Sequence, residues 1–562
     1  MKKKIKVIKF LRNELFLVLI VSLLLSLSCV GYTQDTSANE EIKVIRQTEG
    51  ALNYIDPAVG RDYASSIALC NLYDALVFPN PDGSVKPLLA KGWEISGDGL
   101  TYTFELVPGV KFHNGDELTA DDVVFSLERF INIGEGLSHL FTTSVEGVEA
   151  LEKYKVQFTL KEPLGPFLQV LIRLCILNEK QIMANTKEGP YGEFGDYGRE
   201  WLATHDAGSG PYKVKELKTE EYLLMEKFND YWAGWENKDA PQYVKKIGTN
   251  EAITVRTLMS RGELEITDHW QAHDNLVAID QIPNTEVSSL FEGVVLKIML
   301  NTKIPPTDDI HFRKALAYLF DYDTCIDMIF PGCRRSGPIA PSTPGYNPNL
   351  EIYTMDLAKA EEELKQSPYY DKLDQYTFNL HWVSNVPDEE KIALLLQANA
   401  AKLGINVNIV KTVWLSLLDL MVNTETTPNG VILFFSLPYA EAGSSFMLSY
   451  HSSSCGTYTQ GEWLQDPVID AMIEDALTTV DQEERFQKYY DIQEVIVELC
   501  PTIWIMEQAV KQVHRSDYVV FPAAEALKQG ELCNSAVGYN FYYRDFKVTP
   551  EKAQPPYIPF KP

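Results

Sequence analysis

An α/β fold is what this sequence predicts, and three observations predict it. Turn dipeptides recur between short segments, helix starts are marked by Asp, Thr or Pro, and strand-like and helix-like stretches alternate along the chain. In order, Asp82-Gly83 and Asp98-Gly99 are hairpin-turn dipeptides, and Leu100 to Leu106 sets Tyr102, Phe104 and Leu106 on one face of a half-buried strand. Asn114-Gly115-Asp116 supplies another turn. Thr119 with Asp122 forms a capping-box start for a helix whose Val123, Val124, Leu127 and Phe130 share a face. Further helices are expected from about Asp309 to Asp321, Asp356 to Lys365, Pro387 to Leu403, Pro467 to Leu477 and Asp481 to Leu499. The third closes at Gly404 in the C′ position and feeds the alternating strand Ile405 to Val410, a βαβ-type pattern.

Composition narrows the function classes. The chain has 562 residues, 45% of them hydrophobic, which is enough to build several domains' worth of core. Its 78 acidic against 50 basic residues give a net charge of −28, which argues against nucleic acid or an anionic membrane surface as the partner, since each needs a basic footprint. Internal repeats and low-complexity tracts are absent. So are H-E-x-x-H, the P-loop, G-x-S-x-G and the Rossmann glycines, and the 9 His residues fall into no metal-ligand spacing. No cofactor and no metal are expected.

The N-terminus reads as a targeting segment. Lys2, Lys3, Lys4, Lys6 and Lys9 precede an apolar run from Leu15 to Leu27, then Ser28-Cys29, the pattern of a signal peptide too short for a comfortable membrane span. Cys29 after a small residue resembles a lipoprotein processing site, with Ser26 where a Leu is usual, and Thr33 to Glu41 is then a polar tether. Secretion with ordinary cleavage is the alternative. Setting Cys29 aside, Cys70, Cys175, Cys325, Cys333, Cys455, Cys500 and Cys533 are an odd number. Cys325 and Cys333 bracket a short loop that a disulfide can close in an oxidising compartment.

Ordered blocks across most of the chain resemble one family, the family 5 extracellular solute-binding proteins, the peptide- and nickel-binding class of ABC importers. The segment from Pro81 to Arg129 carries its order of turns, strand and capped helix. Leu52-Asn53-Tyr54-Ile55-Asp56-Pro57 resembles its opening L-D-P turn, and Gly208-Ser209-Gly210-Pro211-Tyr212 with Phe228-Asn229-Asp230-Tyr231-Trp232 resembles its G-x-GPY and N-x-x-YW pair. Arg261 to Ile266 resembles its G-E-x-D-I strand, and Leu300-Asn301-Thr302 running through Pro305 to Arg313 and Tyr318 resembles its N-T-x-x-x-P passage into a helix.

The resemblance implies two α/β lobes joined by a two-strand hinge, a type II periplasmic-binding-protein-like fold with an additional inserted domain. Lobe one maps to 42–80, 208–300 and 513–552, the inserted domain to 81–207, and lobe two to 301–512, after a signal segment over 1–29. It also implies a non-catalytic, extracytoplasmic monomer, anchored through Cys29, that binds a small oligomeric solute and delivers it to permease subunits in the membrane.

Ligands of hinged α/β proteins lie between lobes at strand ends. Asp268 and Trp270, Asn301, and Trp382 at the end of the strand Thr377 to Val383 are therefore candidate ligand contacts, and Asp62 and Tyr63 join them by resemblance. The stretch Val431 to Glu441 matches the family's W-x-x-D-Y-x-D-P passage, whose first Asp pairs with a peptide amino terminus. Pro438 stands at that position, followed by Tyr439 and Glu441. A buried ammonium without a partner is costly, so Glu441 or Asp268 is expected to substitute, or else an oligosaccharide replaces the peptide and uses aromatic faces such as Trp270, Trp382 and Tyr439. A hydrolase built on paired carboxylates, Asp268 and Glu441, is the alternative from another class, and a ligand-binding subunit of a sensory receptor is a further one.

Overall fold

A computed structural model describes residues 41–50, 54–60, 62–384 and 386–562, with Lys43–Pro562 packing as one unit. Cys29 and the rest of the targeting segment lie outside the described residues. Three sheets of four or more strands organise the described residues. A four-stranded sheet runs in the order Val44–Glu49, Tyr243–Gly248, Tyr222–Lys227, Tyr212–Lys218, its first pair parallel and the others antiparallel. An antiparallel sheet, Ala90–Ile95, Thr101–Leu106, Lys155–Leu160, Val145–Glu152, carries the hairpin announced by Asp98-Gly99, while Asp82-Gly83 turns a separate two-stranded hairpin, Val77–Pro79 with Val85–Pro87. The helix Ala120–Ile133 packs beside it, opened by the expected capping box, in which the Thr119 N–H donates to Asp122 at 2.8 Å.

The third sheet has six strands, ordered Arg334–Arg335, Thr502–Arg515, Thr285–Leu300, Gly430–Phe435, Thr377–Val383, Asn406–Thr412. Thr377–Val383 runs parallel to both of its neighbours, as the βαβ reading requires. The intervening helix Pro387–Ala400 ends in a short 3₁₀ turn and a left-handed Gly404, φ 79°. The other expected helices form as Ile310–Leu319, Leu357–Gln366, Pro467–Thr478 and Gln482–Leu499, each capped by the Asp before it. Cys325 and Cys333 remain separate thiols: Cys325 is fully buried in this lobe's core, while the Cys333 sulfur accepts the Ala509 N–H at 3.2 Å.

Two strands connect the sheets. Thr285–Phe291 pairs antiparallel with Ala509–Arg515, and Val295–Met299 pairs with Thr502–Glu507 and with Gly430–Phe435. Between them the register breaks, so that Glu292, Gly293 and Val294 stand opposite Gln508 alone. Gly293 takes φ +75°, and a Cβ there would sit 2.8 Å from Thr343 Oγ1. Below the break, Ile266 bridges His514 on one side and Gln47 of the first sheet on the other. The two long strands therefore run from the first sheet into the six-stranded one, and the bulge marks the crossover.

The cores follow this division. One apolar cluster joins the first sheet and the antiparallel hairpin sheet, with Tyr102, Phe104, Val123, Phe130, Phe158, Met225 and Val244. A second fills the six-stranded sheet and its helices, with Leu296, Ile298, Phe312, Leu316, Phe378, Leu380 and Leu396. Buried arginines fasten loops to both. Arg129 donates to both oxygens of Asp56 at 2.8 and 2.7 Å, and the Arg313 guanidinium caps the carbonyls of Leu499 and Cys500 at 2.9 and 3.0 Å.

One buried acid sets a pH dependence. Glu389, 1% exposed, accepts the Val383 N–H at 2.7 Å, and burial raises its carboxyl to about 8. In the unfolded chain it titrates near 4.3, so between those values the folded state binds more protons and stability falls as pH rises. Glu389→Gln should therefore gain melting temperature over the wild type at pH 8 but not at pH 4.5, read by thermal melts at both. An equal offset at the two pH values would contradict the assignment.

Candidate functional site

The candidate residues divide into those that bolt the scaffold and those that gather at the crossover. Asn301 belongs to the first group. It is fully buried, donates to the carbonyls of Thr424 and Thr427 at 3.0 and 3.1 Å, and accepts the Lys303 N–H at 3.0 Å, so its side chain is spent on loops of its own lobe. Trp382 is 2% exposed inside the second core, with Lys411 over its ring. It shares a strand face with Phe378 and Leu380, and that face turns inward.

Tyr439 is 5% exposed and packs in the other core, the one that holds the hairpin sheet. The loop that bears it is held by Arg173, whose Nε donates to the Pro438 carbonyl at 2.7 Å while the same guanidinium reaches the Val537 carbonyl at 3.2 Å. The position that resembles the family's peptide-binding Asp thus presents a backbone oxygen already taken.

Glu441 is also committed. Arg485 donates to its two oxygens at 2.8 and 2.9 Å, Tyr489 adds a hydroxyl at 2.7 Å, and the carboxylate has no exposed surface. In this structure neither oxygen is open to a ligand ammonium or to a catalytic role. The expectation that Glu441 substitutes for the missing Asp therefore meets a carboxylate already paired with Arg485 and Tyr489. With Trp382 and Tyr439 buried, Trp270 alone of the three candidate aromatic faces is exposed, at 59%, which removes most of the platform an oligosaccharide would need.

The remaining candidates meet at the crossover. Asp62 caps the helix Tyr63–Leu72, accepting the Ser65 N–H and hydroxyl at 2.8 Å each, and so fixes where Tyr63 starts. The Tyr63 hydroxyl donates to Glu292 at 3.3 Å, and its ring lies 4.1 Å from the His269 ring, which lies 4.2 Å from that of Trp270. Asp268 holds this segment in place. It is fully buried, takes the Thr48 hydroxyl at 3.0 Å and the Gln271 amide at 2.8 Å, and accepts the Trp270 N–H at 2.9 Å.

Three further residues complete the group: Glu292, His269 and Asn540. Glu292, on the bulge and 1% exposed, accepts the Asn540 amide at 2.7 Å on the same oxygen that Tyr63 uses, and its other oxygen has no partner. The Nδ1 of His269 has none either. Burial raises Glu292 to about 7 and Asp268 to about 6, and lowers His269 to about 4, leaving the imidazole neutral at physiological pH. Glu49 acts on all of these groups through space, itself paired with the buried Lys246 at 3.3 Å. Sequence reasoning passed over Glu292, although a Gly set between Phe291 and Val294 inside a strand-like run is the signature of a bulge.

Comparison with known proteins follows the same lines. Residues 84–452 match the middle part of the bacterial extracellular solute-binding proteins, family 5. The chain is 28% identical over 541 residues to a dipeptide-binding protein of Escherichia coli strain K12, spanning 89% of this chain and 96% of the relative. Its fold is similar to that of the substrate-binding protein CtaP of Listeria monocytogenes, with a TM-score of 0.78 and 21% identity over 90% of this chain and 99% of the other. It is likewise similar to the periplasmic binding protein DppA of Helicobacter pylori, solved in complex with the peptide STSA, with a TM-score of 0.72 and 24% identity over 91% and 98%.

The role of Glu441 is open to a direct test. Removing one partner of a buried ion pair typically costs about 3–5 kcal/mol, so Glu441→Ala should lower the urea midpoint substantially. A midpoint equal to the wild type's would return Glu441 to the list of residues free to meet ligand.

Proposed function

The chain belongs to the bacterial extracellular solute-binding proteins, family 5, and from that membership we propose that it captures a short peptide between its lobes outside the cytoplasm and hands it to the membrane permease of an ABC importer. The observation that carries the reading is the crossover: two strands continuous between two sheets, interrupted by a bulge at Glu292–Val294. Such a joint lets two rigid halves rotate and enclose a solute. A peptide as the ligand class is supported by the relatives named for dipeptides and by the fold neighbour solved with a tetrapeptide. Burial of Trp382, Tyr439 and Glu441 counts against an oligosaccharide and against hydrolysis by paired carboxylates. The protein acts without catalysis and as a monomer, its energy supplied by the transporter.

In this reading lobe one comprises 42–80, 208–300 and 513–552, the inserted domain 81–207 and lobe two 301–512, with the rotation centred on the bulge. The contacts available to the peptide are those that remain open near it, Tyr63, His269 and Trp270. The N-terminus is processed at Cys29 and acylated there, tethering the mature protein to the membrane through the polar stretch that follows.

Native mass spectrometry of protein purified without refolding tests the ligand class. A bound species whose mass and fragments resolve into amino-acid residues is expected, and a hexose ladder would overturn the peptide reading. The anchor is tested separately. Full-length protein made in a bacterium should partition into detergent, and Cys29→Ala should leave the precursor unprocessed or release it to the aqueous phase. Equal detergent partitioning of fully cleaved Cys29→Ala protein would rule out acylation.

A further inference from the structure

The bulge that joins the lobes also buries a carboxylate with one oxygen left over. Glu292 is 1% exposed, and its Oε1 collects both available donors, the Tyr63 hydroxyl at 3.3 Å and the Asn540 amide at 2.7 Å. Oε2 collects none. A buried, half-satisfied carboxylate is expensive, and native structures keep one where something else supplies the missing donor. The neighbouring His269 Nδ1 is a second buried polar atom without a partner.

Its surroundings specify what that donor is. Glu49 and Asp268 lie near Glu292, Glu507 accepts the Gly293 N–H at 3.2 Å, Asp62 caps the helix that begins at Tyr63, and Lys246 is bonded to Glu49 at 3.3 Å. Asp268 fills its oxygens with neutral donors, so between the two it is Glu292 that has an acceptor oxygen left over. Tyr63, His269 and Trp270 form a ring stack that leads outward from it, half-buried at Tyr63 and His269 and exposed at Trp270. An unmet carboxylate oxygen beside a run of aromatic rings suits a primary ammonium, which offers three N–H donors and is also attracted to ring faces.

We propose that the cluster of Glu292, Tyr63 and His269 receives a primary ammonium group of the ligand, and that this bond takes the place of the one that Pro438 cannot make. The inference rests on the peptide reading above, and it moves the amine-reading position from the loop after Gly430–Phe435 to the crossover strand. One consequence concerns closure. Glu292 belongs to the segment without ladder partners and is buried with one oxygen unmet, so an ammonium that arrives with the ligand completes it in the closed form. The amine thereby favours the closed form over the open one.

Two sources share this chemistry, the amino terminus and a lysine side chain, and three tripeptide libraries separate them: free, N-acetylated without lysine, and N-acetylated with lysine. Binding is measured by calorimetry on ligand-stripped wild type, Glu292→Gln and His269→Phe. The wild type should hold the free library at least about tenfold tighter than the lysine-free acetylated one. Glu292→Gln should shrink that ratio below about threefold while binding the acetylated library as well as the wild type does. His269→Phe keeps the ring stack and should narrow the ratio in part, which preserves the test if Glu292→Gln folds poorly. Recovery of tight binding by the acetylated lysine library would support the ammonium subsite with the side chain as its source. Equal binding of free and both acetylated libraries by the wild type overturns the subsite and leaves the peptide reading standing, as does a ratio that survives both substitutions. Binding of no library by the wild type overturns the peptide reading and the subsite with it.

Discussion

The structure depends on one pair of strands doing two jobs. Thr285–Leu300 and Thr502–Arg515 are the antiparallel core of the six-stranded sheet at one end and, through Ile266, the edge of the first sheet at the other. A continuous ladder would make the two sheets one rigid body. The three residues Glu292, Gly293 and Val294 against Gln508 remove ladder bonds at the one place where both halves can still be held in register on either side. Gly293 is required there by its positive φ and by the approach of Thr343, and it adds local freedom without a side chain to lock it. The function hangs on this joint, because it is where the two strands pass from one sheet to the other.

The energetic character of the buried polar groups separates scaffold from site. Arg129 with Asp56, Arg485 with Glu441, and Arg46 with Glu265 are charge-assisted pairs in which most donors and acceptors are used, and each ties a loop to a helix or strand. Such pairs contribute position more than net stability. At the crossover the pattern is different. Glu292 Oε2, His269 Nδ1, both ends of the Gln512 amide and the Gln47 amide nitrogen are buried without partners among the described residues. Unpartnered buried atoms also occur away from the crossover, Glu462 Oε2, Gln169 Oε1 and Arg544 Nε among them, so they mark a site only where open aromatic faces stand beside them, as at Tyr63 and Trp270.

Much of the fold was legible in the sequence, and the site less so. Caps at Asp309, Asp356, Asp466 and Asp481, the box at Thr119 and Asp122, and the stop at Gly404 are local signals, each set by backbone groups a few residues away. The strand Thr377–Val383 was read correctly, but its alternation already placed Trp382 beside Phe378 and Leu380 on the core face, and an aromatic at a strand end is not thereby at the cleft. Glu441 looked available because its partner Arg485 lies 44 positions away and no periodicity links them. Asn301 sat at a strand end as expected, yet loops that are distant in sequence, at Thr424 and Thr427, had already taken its amide. Tyr63 and Trp270 were named for a general reason, strand ends and the loop after the opening turn, while the stack that joins them runs through His269, which tertiary packing alone brings between them.

The central claim is that the two lobes close about the Glu292–Val294 bulge on a bound solute. Small-angle X-ray scattering on the protein as purified, and on the same protein after its ligand has been stripped by unfolding and refolding, tests it most directly. The account predicts a larger radius of gyration for the stripped protein and a return to the smaller value when the recovered ligand is added back. Identical scattering in the stripped and reloaded states, with binding verified in the same samples, would contradict it.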